Sequence, residues 1–321
     1  MTHRNFTAAV KGAAFGQWPY ILQQLAGLTD LQVDTRTRST GTACPLCGGH
    51  DRYSFKSDDE GGWACRHCGG GDGFTLLMKL HGWDFTRTVQ QVASLLGLSQ
   101  DFPEELDRLR KEAEERRRVH EQQNQQKKQQ QQAEGIQEAN RFWDNSVPYR
   151  RHPYAEYKRF SPFLKSLCRQ LDDWLLVPVY SPDGFLMNIQ RFVNYMPTDG
   201  SRWPRYFVRN APVKGGWLAY GPDSHHVLIT EGVADADACY QIESGACKVV
   251  CAFSANQFSS VAKLVRQYHP DSEIILCPDS DPAGLKHAIK ATTEVHGCLI
   301  SQPPTPYKDW SDFFISQQEV A

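Results

Sequence analysis

The chain has 321 residues, enough for two or three domains. Its composition, 40% hydrophobic and 22% charged, is ordinary for a soluble globular protein. It contains no apolar run of the roughly 18 to 20 residues that a membrane helix needs. The N-terminus also lacks the apolar core of a signal peptide. We therefore expect a cytoplasmic protein without membrane contact.

The net charge of −2 hides an uneven distribution along the chain. Residues 141–220 carry 12 lysines and arginines against 6 acidic residues, whereas residues 221–321 carry 6 against 13. A basic segment followed by an acidic one that can bind metal ions suits a polyanionic substrate. Two oppositely charged domains that merely dock on each other would give the same pattern.

Four of the ten cysteines form two CxxC pairs, Cys44–Cys47 and Cys65–Cys68, separated by 17 residues. This spacing is typical of a zinc ribbon in which four thiolates hold one structural zinc ion. Two reducing dithiols are the alternative. The other six cysteines are scattered singly, which predicts buried free thiols in a reducing compartment and no disulfide framework.

The sequence around these cysteines predicts a small sheet flanked by helices. Apolar residues at helical spacing over 6–26 predict one helix or two short ones, and further helices are expected at about 73–81 and 84–96. Between the cysteine pairs, aromatic and cationic residues alternate in a way typical of single-stranded nucleic-acid binding. Alternatively, Phe55 and Trp63 form the core of the ribbon. The candidate nucleic-acid contacts are Arg52, Tyr53, Lys56, Trp63 and Arg66.

Residues 43–83 resemble the zinc ribbon of phage and plasmid primases and primase-helicases. The shared motifs are CPxCGGxDRF, with Tyr53 in place of phenylalanine, then GxWxCxxC, and a GDG followed by a helix. The resemblance implies that the ribbon selects the template sequence at which priming starts.

Residues 101–140 have a different composition. Glutamate and arginine dominate 106–119, and a glutamine tract covers 122–132. Because almost nothing apolar is available for burial, we expect a solvated linker that is partly helical or disordered. A coiled coil is the alternative, but no sustained pattern of apolar a and d positions supports it.

The basic segment predicts a hairpin followed by a cationic loop. Strands at 175–180 and 185–192 flank a Pro182-Asp183-Gly184 turn. Arg202, Arg205 and Lys214 then precede two glycines, an arrangement that suits a triphosphate or a template backbone, although an ordinary basic surface would look the same. The segment resembles the small subdomain before the catalytic core of bacterial-type primases. By that resemblance, Arg191 and Lys214 are nucleotide or template contacts.

From residue 226 onwards, short apolar strands alternate with helical patterns, which predicts an α/β unit with a parallel sheet. Two of the strands end in acidic residues, Glu231 after the first and Asp279 and Asp281 after the third. Carboxylates at neighbouring strand ends repel each other, and a divalent cation is the simplest way to keep them ionised. Carboxylate oxygens favour Mg²⁺ or Mn²⁺ over zinc. Asp279 and Asp281 could also simply cap the following helix.

This acidic pattern resembles a Toprim domain, the metal-binding fold of bacterial primases, topoisomerases and some nucleases. The matching positions are Glu231-Gly232, with Asp235 four residues after the glutamate as in primases, and Asp279-Ser280-Asp281. A third acidic element is expected at Asp309 or Asp312, where one extra residue interrupts the usual spacing. The resemblance implies two catalytic Mg²⁺ or Mn²⁺ ions, with Glu231 as either a ligand or a base.

The sequence therefore predicts a multidomain α+β protein. We expect a zinc-ribbon template-recognition domain at 1–100, a linker at 101–140, a basic subdomain at 141–221 and a Toprim catalytic domain at 222–321. The predicted function is a DNA primase that synthesises RNA primers from NTPs on single-stranded DNA. The alternatives are a Toprim nuclease and a non-catalytic replication factor that binds single-stranded DNA. No GxxxxGK[ST] motif occurs in these residues, so we expect a separate replicative helicase as partner.

Overall fold

The computed structural model describes residues 3–38, 40–98, 103–196 and 203–320. The chain divides into two compact units, residues 1–126 and 127–321. Among the described residues, no helix is both long enough and apolar enough to cross a membrane.

The first unit combines helices with a three-stranded antiparallel sheet of order β1-β2-β3. The apolar stretch at 6–26 forms two helices, and Gly27 ends the second in a left-handed conformation. The two helices predicted after the ribbon are confirmed, each capped at its start by an aspartate, Asp72 or Asp84. The elements are α1 His3–Ala14, α2 Trp18–Ala26, two 3₁₀ turns at Asp30–Val33 and Thr35–Arg38, β1 Tyr53–Ser57, β2 Gly62–Cys65, β3 Gly69–Gly71, α3 Gly73–His81 and α4 Phe85–Leu95.

The predicted linker is a helix, α5, from Pro103 to Asp144. The side chains of residues 121–131, which include most of the glutamine tract, are all exposed. Near the end of α5, Ala139 is fully buried, and Phe142 and Trp143 pack against the same apolar cluster. The glutamine tract is therefore solvated as expected, whereas the last turns of α5 have an apolar face and belong to the core of the second unit.

An antiparallel sheet of order β4-β5-β6-β7-β8 begins the second unit. The predicted hairpin is confirmed: Leu175 of β6 lies opposite Phe192 of β7, and Gly184 in the turn has a φ of 84°. The elements are β4 Val147–Pro148, α6 Pro153–Tyr157, α7 Pro162–Leu167, β5 Arg169–Leu171, β6 Trp174–Tyr180, β7 Leu186–Phe192 and β8 Arg205–Phe207.

The predicted parallel sheet follows, in the order β13-β12-β10-β11-β9. All its neighbouring strands are parallel except β9, which pairs with β11 in the antiparallel direction. Because Thr230 at the end of β10 lies opposite Cys277 at the end of β12, the acidic residues that follow both strands meet at one edge of the sheet. The elements are β9 Leu218–Tyr220, β10 His226–Thr230, α8 Val233–Ile242, β11 Lys248–Cys251, a 3₁₀ turn at Ala255–Gln257, α9 Phe258–Tyr268, β12 Glu273–Cys277, α10 Pro282–Glu294, β13 Cys298–Ile300 and α11 Trp310–Val320.

Candidate functional site

The four ribbon cysteines converge on one point in the first unit. Their Sγ atoms all lie within 4.8 Å of one another, with 4.0 Å between Cys44 and Cys68 and 4.0 Å between Cys47 and Cys65. A tetrahedral zinc ion with Zn–S bonds of about 2.3 Å would hold its sulfurs about 3.8 Å apart. The arrangement therefore fits one zinc ion with a closed shell of four thiolates.

The backbone beside Cys65 favours the thiolate form of this residue. The amide N–H groups of His67 and Cys68 both donate to Cys65 Sγ, at 3.4 and 3.5 Å. Burial opposes ionisation, but these two hydrogen bonds, together with side-chain hydrogen bonds from Cys44 and Cys68, lower the pKa of Cys65 to about 7. A thiol that ionises near neutral pH is a good zinc ligand.

The prediction that Tyr53 and Trp63 present their rings to nucleic acid is wrong. Tyr53 is 0% exposed and Trp63 is 2% exposed, and both rings belong to the core of the first unit together with Phe55. The Trp63 Nε1–H donates to the carbonyl of Asp72, which ties the ribbon to the start of α3. A unit this small needs its aromatic side chains to build a core. The alternative prediction, that Phe55 and Trp63 form the core, is therefore correct, and Tyr53 joins them there.

The predicted cationic contacts of the ribbon remain at the surface. Arg52 and Arg66 are exposed, and Lys56 is partly exposed. Arg66 forms an ion pair with Asp51 at 2.9 Å, in which both side chains are about 70% exposed. Such an exposed pair contributes little to stability and can open to bind a phosphate.

In the second unit, the six predicted carboxylates line one cavity of about 480 Å³. It lies where the parallel strands end, as expected for the functional edge of such a sheet. Glu231 Oε1 accepts a hydrogen bond from the backbone N–H of Asp279 at 3.3 Å, which links the ends of β10 and β12. Gly284 makes this approach possible, because a side chain there would collide with Glu231. The six residues are Glu231, Asp235, Asp279, Asp281, Asp309 and Asp312.

Two of these carboxylates also cap helices. Asp281 Oδ1 accepts from the N–H of Gly284 at 2.7 Å at the start of α10, and Asp309 Oδ1 accepts from the N–H of Asp312 at 2.8 Å at the start of α11. The capping alternative is therefore correct for Asp281, but it does not exclude metal binding. Capping uses one oxygen of each carboxylate and fixes the direction in which the group points.

Burial and crowding of negative charge raise the pKa of two carboxylates in the cavity. Burial, followed by the charge of Asp279, raises the pKa of Glu231 to about 7. Burial also raises the pKa of Asp235 well above its usual range, with Asp309 and Asp279 adding to the effect, although the N–H of Ser311 donates to Asp235 at 3.1 Å. A divalent cation would relieve this repulsion, and the all-oxygen donor set fits Mg²⁺ or Mn²⁺.

Comparisons with known proteins match both regions. Residues 40–74 match the zinc-binding domain of primase-helicase, and residues 228–314 match a Toprim-like domain. The chain joins a primase-helicase zinc ribbon to a Toprim-like domain. This confirms both resemblances and the predicted fold class, an α+β protein with a ribbon first and a mostly parallel sheet last.

Solved primase structures also resemble the chain, at low identity. The primase fragment of the bacteriophage T7 primase-helicase is 15% identical and covers 52% of this chain, with a TM-score of 0.38; this chain covers 65% of that fragment. The DnaG primase catalytic domain bound to single-stranded DNA is 13% identical, with coverages of 60% and 77% and a TM-score of 0.41. The zinc-binding and RNA polymerase domains of Aquifex aeolicus primase are 13% identical, with coverages of 93% and 83% and a TM-score of 0.37.

The predicted cations of the basic segment do not lie at one common site. Arg205 lines the carboxylate cavity of the Toprim-like domain, and Lys214 lines a second cavity. Arg191 lies on the opposite face of β7 from Gln190 and Phe192, which line the carboxylate cavity; its guanidinium stacks over Phe142 at 4.8 Å and Trp174 at 5.5 Å. The structure therefore does not bring Arg191 to the carboxylates. Arg202 lies outside the described residues.

A cation that the sequence did not point to lies inside the carboxylate cavity. The Lys158 Nζ is 3.0 Å from Asp312 Oδ1, and the lysine side chain is only 15% exposed. Burial opposes its charge, but Asp309 and Asp312 raise the pKa of Lys158. No spacing rule could have found this pair, because its members are 154 residues apart. Of the two candidates for the third acidic element, Asp312 is therefore the one that is ion-paired with a lysine.

Asp237, in α8, is a buried acidic residue outside the carboxylate cavity. It is 1% exposed, and its carboxylate accepts from the N–H and hydroxyl of Ser161, both at 2.6 Å. Tyr220 and Gln241 donate to it as well, at 3.1 and 3.0 Å. The sequence pattern could not have predicted this burial. Helix α8 is buried on most of its circumference, so its sequence shows no contrast between a polar and an apolar face.

Proposed function

We propose that this chain is a DNA primase that makes short RNA primers from nucleoside triphosphates on a single-stranded DNA template. The observation that carries the proposal is that the six carboxylates and Arg205 line one cavity. A primase-helicase zinc ribbon in the same chain supports a nucleic-acid template as substrate. A separate replicative helicase remains the predicted partner.

The carboxylates would have two roles, metal binding and proton transfer. Asp235, Asp279, Asp281 and Asp309 would hold Mg²⁺ or Mn²⁺ through their oxygens. When bound, the metal ions neutralise the triphosphate and make the primer 3′-hydroxyl more acidic. Glu231 is the candidate general base, because its carboxylate lines the same cavity as the metal-binding carboxylates and can accept the proton of the attacking hydroxyl.

In the proposed reaction, the 3′-oxygen forms a bond to the α-phosphorus of the incoming nucleotide. The bond between that phosphorus and the bridging oxygen breaks, and pyrophosphate leaves. The hydroxyl proton passes to Glu231 and from there to solvent. Arg205 lines the same cavity and forms no ion pair with any residue in the described part of the chain, so it would bind phosphate oxygens there.

The ribbon would contact the template strand through its cations. With Tyr53 and Trp63 buried, Arg52, Lys56 and Arg66 are the predicted contacts that are accessible to a DNA strand. Cations bind phosphates without regard to sequence, so they would position the template and increase its affinity in a salt-dependent manner.

The test is incorporation of labelled NTPs on random single-stranded DNA with Mg²⁺ or Mn²⁺. Asp279→Ala should abolish synthesis but leave single-strand binding nearly intact. Asp271→Ala, an exposed aspartate just before β12, is the matched control and should synthesise normally. Metal-dependent cleavage of the template without any synthesis would instead favour the nuclease, and neither activity would favour a non-catalytic binding protein.

A further inference from the structure

The turn between α3 and α4 carries a stack of side chains at the surface of the first unit. The rings of His81 and Trp83 lie face to face, with centroids 4.1 Å apart and an angle of 16° between their planes. The guanidinium group of Arg87 lies 5.5 Å from the centroid of the Trp83 ring. Two rings and a guanidinium group are thus brought together by residues close in sequence.

The backbone of the turn explains why these side chains meet. Gly82 ends α3 in a left-handed conformation with φ of 66°, which turns the chain directly after His81. Asp84 then begins α4, because its Oδ1 accepts a hydrogen bond from the N–H of Arg87 at 2.7 Å. The two helix ends therefore hold the residues of the stack on a short connection with defined geometry.

Core packing does not account for this stack. His81 is exposed and Trp83 is half-buried, and neither belongs to the apolar core described for the first unit, in contrast to Tyr53 and Trp63. Apart from Trp83, His81 meets no other ring among the described residues. The stack can therefore be extended by one more flat group on the solvent side of His81.

The charges near the turn favour a polyanionic ligand. Residues 73–98 contain two cationic side chains, Lys79 and Arg87, against one acidic residue, Asp84. One oxygen of Asp84 is engaged in the helix cap. Arg87 is exposed and forms no ion pair within the described part of the chain, so its guanidinium group is available to a phosphate.

We propose that this stack is a base-binding site for single-stranded DNA, in which an unpaired base lies on the outer face of His81 and Arg87 binds a neighbouring phosphate. Unpaired bases stack on aromatic side chains and guanidinium planes, and every base has a flat face, so the site would hold a strand without reading its sequence. The inference rests on the proposed function, since that function makes the strand a template. It gives the first unit the aromatic contact that the buried rings of Tyr53 and Trp63 cannot make.

Binding of the full chain to labelled oligonucleotides, without NTPs or magnesium, tests the inference. One strand is oligothymidine, and the other has the same length and phosphates but abasic sugars. His81→Ala and Trp83→Ala should weaken the binding of oligothymidine by about 5- to 100-fold, and His81→Ala should leave the binding of the abasic strand unchanged. Arg87→Ala should weaken the binding of both strands, because it removes a phosphate contact. Tyr20→Ala removes another exposed ring of the first unit, 48% exposed, and is the control that should bind both strands like the wild type.

Unchanged binding of oligothymidine by His81→Ala would overturn the inference, and so would an equal loss for both strands, because the contact would then be with phosphates alone. A loss of binding to oligouridine without any loss for oligothymidine would overturn it as well, since the ligand would be RNA. The zinc content of each variant reports whether the ribbon is folded, and the exposed His81 decides the outcome if Trp83→Ala does not fold. The assay needs no synthesis, so a chain that makes no primer contradicts the proposed function without affecting this result.

Discussion

Replacing Glu231 by glutamine should stabilise the metal-free protein at pH 8. The folded protein raises the pKa of Glu231 from 4.5 to about 7, so folding makes its ionised form less favourable. As pH rises through this window, the unfolded chain loses the proton before the folded protein does. The free energy of unfolding therefore falls between about pH 4.5 and 7, and the full penalty remains above pH 7.

The size of the effect follows from the shift and from the exposure of the group. A pKa shift of this size corresponds to a free-energy penalty of about 3 kcal/mol for a fully buried carboxylate. Because Glu231 is only half-buried, solvent screening reduces the expected gain in the Gln variant to about 1 to 2 kcal/mol. Glutamine keeps an oxygen for the N–H of Asp279, so the variant loses the charge without losing that hydrogen bond.

Urea unfolding followed by tryptophan fluorescence, in magnesium-free buffer at pH 5 and pH 8, measures this effect. Glu231→Gln should be more stable than the wild type at pH 8 and should lose stability less steeply with pH. Glu273→Gln, at an exposed position at the start of β12, is the control and should behave like the wild type. Added Mg²⁺ should stabilise the wild type more than Glu231→Gln. If Glu231→Gln were no more stable than the wild type at pH 8, the reasoning that burial and charge crowding disfavour the ionised carboxylate would be refuted.

Three further predictions concern the rest of the fold. Cys65→Ser should release zinc, measured by a chromogenic chelator, and a variant that retained its zinc would contradict the four-thiolate site. Gly73→Ala should destabilise the first unit by about 1 to 3 kcal/mol in chemical unfolding, because the added methyl group would collide with the Trp18 ring; an unchanged midpoint would argue against this close packing. Asp237→Ala should cost about 2 to 5 kcal/mol in the same assay, because it leaves the buried N–H and hydroxyl of Ser161 without an acceptor, whereas a cost under about 1 kcal/mol would mean that water replaces the carboxylate.

The sequence determined the features that depend on neighbours along the chain. The spacing of Cys44, Cys47, Cys65 and Cys68 is enough to predict the zinc site, since each pair lies on one tight turn. The alternation of apolar strands and helices from residue 226 predicts the parallel sheet. It also predicts that the acidic residues after β10 and β12 meet, because the carboxyl ends of parallel strands share one edge.

Tertiary structure alone decided which way side chains face and which distant residues meet. Tyr53 and Trp63 are of the aromatic residue types that stack on nucleic-acid bases, but their rings form part of the core of the first unit. Lys158, directly after α6, pairs with Asp312 of α11, so that of the two acidic candidates Asp312 is the one with this ion pair. Such contacts depend on how elements far apart in sequence pack, and local spacing carries no information about that packing.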